Sequence, residues 1–227
     1  MDNFDSDGPP DSEWEDRGDL AWNEFDWERY LREQDDAVHR YLGFYEAFRL
    51  QPDRIDRVAE QMGWEPQEES EVAAAAEESE SDDEAPDFIE EEDVYTLHKN
   101  PVFVATKAIY LSLRRPWELA ATDPAKVPPA LAVPFLVTLH RGEEYAALAI
   151  HALDFGDYAM AISLLKRALA ALNQSMALMN GETAGRHPAV RPFRESALPR
   201  LFDLREIWLR VIAECRRELS RPIDEES

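Results

Sequence analysis

The chain has 227 residues, 44% of them apolar, with a formal net charge of −24 and a mean hydropathy of −0.51. The charge is segregated: residues 1–93 hold 33 acids against 7 arginines, whereas residues 94–227 hold 15 acids against 17 Lys and Arg, the pattern of an ordered domain carrying an acidic arm. A single cysteine excludes an intramolecular disulfide and a cysteine zinc site. The acidic amino terminus lacks a signal peptide's basic start, and no apolar stretch reaches the ~18 residues of a membrane span, so a soluble, cytoplasmic protein is expected.

Residues 1–19 have the composition of a disordered acidic tail, with little to bury. Residues 20–64 read as an aromatic helical hairpin. Trp27, Tyr30, Leu31, Val38, Tyr41, Leu42, Tyr45 and Phe48 recur at steps of three and four, which puts them on one face of a helix. Gln51-Pro52 breaks that helix, and a shorter one carrying Ile55, Val58 and Met62 ends near Gly63. Residues 65–93 hold 15 acids and no base, which predicts a disordered acidic linker.

Residues 94–221 read as a bundle of four main helices. The first starts at Asn100-Pro101 and ends at Arg114-Arg115-Pro116. The second spans about 132–155 with Pro134 in or near its first turn, and the third spans 157–180, ended by Asn180-Gly181. A polar loop carrying Arg186, Arg191, Arg194 and Arg200 precedes a last helix over about 198–219, whose apolar stripe includes Leu201, Leu204, Trp208 and Cys215. No strand pattern is present, so the fold class is all-α.

At the junction of the second and third helices stands "LDFGDYAMAISLLKRAL". With Ala149 before the turn, Gly156 in it, and Ala161 and Ala168 after it, the stretch 142–175 resembles a single tetratricopeptide unit, with Tyr145 where that family prefers Trp. The resemblance implies two antiparallel helices packed through small residues, and a scaffold that binds peptides or proteins.

Chemical groupings are few. His140, Glu144 and His151 share one helix face, and the i, i+4 spacing of the first two is one that metal-binding helices use. His140 and His151 lie over ~16 Å apart along the axis, so a single ion cannot take both. They are weak metal candidates, and no cofactor is expected. Cys215, inside an apolar stripe, reads as a small buried hydrophobe. Ser163-Leu-Leu-Lys166 matches an acylation motif whose companion motifs are missing.

Arg186, Arg191, Arg194 and Arg200 are candidate anion binders, because guanidinium pairs with carboxylate or phosphate in a two-pronged fashion. Nucleic acid is not the expected partner of so acidic a chain. Phe88 and Ile89 among acids resemble an acidic-hydrophobic docking element. The aromatic face, with Trp27, Tyr30, Tyr41, Tyr45 and Phe48, must pack on the bundle, on another copy or on a partner, which leaves self-association open. The expected function is a non-enzymatic interaction or adaptor protein that engages a protein partner, a basic one included, through the aromatic helix, the acidic segment and the arginine loop. The alternatives are a helical-bundle metal-binding protein or small enzyme, and an acidic mimic of nucleic acid that binds a basic protein.

Overall fold

The computed structural model describes residues 22–64 and 97–221, and among them every regular element is helical. The acidic stretch 65–93, with Phe88 and Ile89, and the tail 1–19 lie outside the described residues.

Helix α1, Glu24–Ala47, opens on a capping box: Asn23 accepts from the backbone of Phe25 and Asp26, and the Asp26 side chain accepts from Asn23. Helix α2, Arg54–Met62, ends at Gly63, whose φ of 75° is the left-handed conformation that glycine adopts without strain. After a 3-10 turn at Leu97–Lys99 comes α3, Pro101–Ala121, capped by the Asn100 side chain on the Phe103 amide. Helices α4, Pro129–Asp154, and α5, Tyr158–Asn180, form an antiparallel pair joined by Gly156 at φ 72°. Asp157 caps α5 by accepting from Met160 N–H. A short α6, Glu182–Arg186, leads to the long α7, Arg191–Leu219.

Helices α3, α4, α5 and α7 close around one core. The α4–α5 seam is built on fully buried Ala146, Ala149, Ala161 and Ala168, small enough for the two backbones to approach closely. Trp117 fills one end of the bundle, with its ring 4.6 Å from Phe135 and 4.8 Å from Phe193, and its indole donates to the Ala132 carbonyl at 3.1 Å. At mid-height the Trp208 indole donates to Thr106 Oγ1 and its ring stacks on Tyr110.

Helix α1 packs against α3, so the aromatic face finds its cover within the same chain: Tyr30, Val38, Tyr41 and Tyr45 are buried. Burying one such ring contributes on the order of 2 kcal/mol.

Three boundaries differ from the sequence expectation, all at prolines. Helix α3 does not stop before Pro116 but runs five residues past it to Ala121. Pro116 forfeits one backbone hydrogen bond, and the anchoring of Trp117 just beyond outweighs that loss. Helix α4 begins at Pro129 rather than near Ala132, which places Pro134 in its second turn. The expected arginine loop is largely helix, because α7 starts at Arg191, carries Pro192 in its first turn and continues through Pro199. Buried Ala197 and the Phe193 ring on Trp117 and Phe135 hold that extra stretch against the bundle.

Candidate functional site

The four arginines expected to act together are dispersed by the helical course of 191–200. Arg186 pairs with Glu182, and Arg191 with Glu195 at 2.8 Å, each one turn away on its own helix. Arg194 donates to Asn180 Oδ1 at 2.9 Å. Only Arg200 turns toward the N-terminal helices, where it pairs with Glu46 and donates to Ser112 Oγ at 3.1 Å.

Arg200 there meets groups absent from the sequence-based candidates. Asp203 on α7 is 7% exposed. It accepts from the Tyr45 hydroxyl and takes a two-pronged contact from Arg54, with Nε at 2.5 Å and Nη2 at 2.7 Å. Arg54 also donates to the Pro199 carbonyl at 3.1 Å. The guanidinium groups of Arg54 and Arg200 both lie 5.9 Å from the centre of the Tyr45 ring, within reach of its negative face. A surface pair, Arg210 with Asp56, extends the seam toward solvent. Burial raises the Tyr45 pKa, and Asp203 raises it further, so the phenol stays a donor throughout the physiological range.

Above this network lies an open cleft of about 450 Å³ between α1, the start of α2 and α7. Its walls include Arg49, Leu50, Arg54, Ser196, Pro199 and Arg200. Arg54 is matched by Asp203, Arg200 by Glu46, and Glu195 by Arg191. Arg49 is exposed and has no carboxylate partner among the described residues. The cleft therefore carries one uncompensated positive charge.

A second surface lies on the outer side of α4. Val133, Val137, Leu148 and Phe155 are 60%, 42%, 47% and 87% exposed. At 100° per residue they fall within about 60° of one another, as two apolar patches, Val133 with Val137 and Leu148 with Phe155, set ~16 Å apart along one face of the helix. His140, Glu144 and His151 lie on the same face and are exposed. They are separated along that face, as their spacing requires, and no cluster of three metal-ligating side chains forms among the described residues. His140 and Glu144 instead border a polar hollow of about 370 Å³ in which Lys107 and Arg114 both pair with Glu143. Beside that face, a groove of about 470 Å³ between α4 and α5 is walled by Ala130, Pro134, Thr138, Ala177 and Leu178.

Of the aromatic candidates, Tyr30, Tyr41 and Tyr45 are buried, Phe48 is half-buried, and Trp27 keeps 38% of its surface exposed. Cys215 is buried, and burial raises its thiol pKa, consistent with a packing role. Ser163 donates back to the Ala159 carbonyl of its own helix. Sequence reading missed Arg49, Arg54 and Asp203. A usable signal was present in Asp203, an acid set between the core positions Leu201, Leu204 and Ile207. Comparison with protein-family models, with curated proteins and with solved structures finds no match.

Proposed function

We propose that the protein is a non-enzymatic helical interaction protein, an adaptor that holds a protein partner against the outer face of α4. The observation that carries this reading is the pair of exposed apolar patches, Val133 with Val137 and Leu148 with Phe155, that share one helix face with His140, Glu144 and His151. Scattered apolar residues are ordinary on a surface, whereas an aligned set beside a groove suits the apolar side of an amphipathic partner helix. The resemblance of 142–175 to a tetratricopeptide unit supports the same reading, since Leu148 and Phe155 lie on the first helix of that unit and at its turn. The acidic segment 65–93 would attract a partner with a basic surface and speed encounter. A cytoplasmic setting fits this role.

The test is affinity capture with quantitative mass spectrometry, run with the wild-type chain and with a Val137→Glu/Leu148→Glu variant. The variant should fold with unchanged melting behaviour, because exposed substitutions typically alter stability by within about 0.5 kcal/mol, yet lose a specific partner. Equal recovery of every partner by both proteins refutes the reading.

The 15 acids without a base in 65–93 favour a second reading, an acidic mimic of nucleic acid that occupies a basic protein. Partners that are not basic, or that are not released by competing DNA, rule it out.

A further inference from the structure

We propose that the partner on the outer face of α4 is a second copy of this chain, packed antiparallel about a two-fold axis at the level of residue 142. The proposal rests on the reading of that face as an interface and names its occupant. A helix turned end for end about residue 142 brings position 140 opposite 144 and, within one residue, position 137 opposite 148. His140 then meets Glu144 of the second copy, and Val137 meets Leu148 of the second copy, each contact occurring twice. Val133 falls against the ring of His151 of the second copy. Phe155 lies over the start of that copy's helix, where Pro129 and Ala130 are exposed. No like charges are opposed along the ~33 Å of face from residue 133 to 155.

Three observations favour a second copy over an unlike partner. His140 and Glu144 are exposed, and neither has an ion pair or side-chain hydrogen bond with another described residue, so each can pair across the axis. Moving the axis to residue 144 would oppose two Glu144 carboxylates, so the charges select one register. Residues 94–227 carry 15 acids against 17 Lys and Arg, so two bundles approach with little net repulsion. The acids of 1–93 act through solvent, where physiological salt screens them beyond ~8 Å. Finally, Val133, Val137, Leu148 and Phe155, 42–87% exposed, are covered in one step, and a two-fold pairing closes on itself without leaving the same face open.

The experiment is analytical ultracentrifugation of the full chain at physiological salt, across roughly a hundredfold range of concentration. The wild type should pass from monomer to dimer and stop there, and Val137→Glu/Leu148→Glu should stay monomeric. His140→Glu opposes carboxylates twice across the axis and should weaken association by roughly tenfold or more. Glu144→Arg removes both pairs and should weaken it as well. An equimolar mixture of these two variants restores opposite charges at both contacts, so it should form a mixed dimer about as tight as the wild-type one. Exposed substitutions of this kind leave the melting curve in place, and the mixture separates a contact between copies from any effect within one chain. A monomeric wild type, variants that associate like wild type, or a mixture no tighter than its parts overturns the proposal. If the wild type is monomeric while Val137→Glu/Leu148→Glu still loses a captured partner, the α4 face stands as an interface and only its occupant is wrong.

Discussion

Gly142 on α4 faces the hydroxyl of Tyr110 on α3, and a methyl group added there falls well inside contact distance of that oxygen. Tyr110 cannot move aside readily, because it is 1% exposed and stacks on Trp208. Its hydroxyl has no hydrogen-bond partner among the described residues. Gly142→Ala should therefore show two opposed effects. Overpacking in a filled core costs about 1–3 kcal/mol, while replacing glycine by alanine inside a helix gains about 1 kcal/mol. In the wild-type background the clash wins, with a net loss of up to about 2 kcal/mol and a fall in melting temperature of roughly 2–8 °C for a chain of this size.

The Tyr110→Phe background reverses the sign. The obstructing oxygen is gone, and the next atom, Cζ, stands at 3.4 Å, an ordinary contact. Gly142→Ala should then stabilise by up to about 1 kcal/mol. Tyr110→Phe alone should be neutral or slightly stabilising, because it removes a buried hydroxyl without a partner. Urea denaturation of the four proteins, followed by tryptophan fluorescence, gives the coupling between the two positions, expected to be about 1–3 kcal/mol. If Gly142→Ala destabilises both backgrounds equally, the obstacle is not the hydroxyl, and the packing argument for this glycine fails.

Asp203→Ala strands the Arg54 guanidinium and the Tyr45 hydroxyl at a buried seam, and should cost about 3–5 kcal/mol in urea denaturation, against about 0.5 kcal/mol or less for the exposed Arg49→Ala; comparable values for the two would remove the seam's structural role. Tyr41, Tyr45 and Tyr110 are all held above the ordinary tyrosine pKa of 10.0, first by burial and then by Asp203 for the first two and Glu143 for the third. Unfolded phenols ionise near pH 10 while the folded ones stay neutral, so their contribution is complete below that pH and is lost above it, by up to about 1.4 kcal/mol per pH unit for each tyrosine. Urea midpoints measured from pH 8 to 11.5 should bend downward near pH 10, and Tyr41→Phe should flatten the bend; an unchanged slope refutes this account.

The helical periodicity of α1, α5 and the C-terminal half of α7 was legible because each has an unbroken stripe: Tyr30, Val38, Tyr41 and Tyr45 on α1 repeat at a helix's own spacing, and the structure buries those same rings. Where proline interrupts the text, the local signal and the tertiary one disagree. Pro116, Pro134 and Pro199 each argue for a break, yet Trp117, Phe135 and Leu201 next to them lie in the core, and their burial outweighs one missing backbone hydrogen bond apiece. The arginine cleft was half visible. Arg200 stood among the candidates, but its companions Arg49 and Arg54 come from about 150 residues earlier, and no pattern of spacing encodes that meeting. The exposed apolar residues on α4 stayed hidden for another reason: they share their face with His140, Glu144 and His151, so the sequence there reads as a solvated face.

The seam between Asp203 and Tyr45 joins positions 158 residues apart. A ribosome adding roughly 5–20 residues per second takes on the order of 10–30 s to travel from the one codon to the other. Through that interval the first helix made has emerged without the acid that receives its tyrosine. The N-terminal helices can complete their closure only when translation is nearly over, which makes this joint a late step of folding and a place where a chaperone would find an aromatic surface still uncovered.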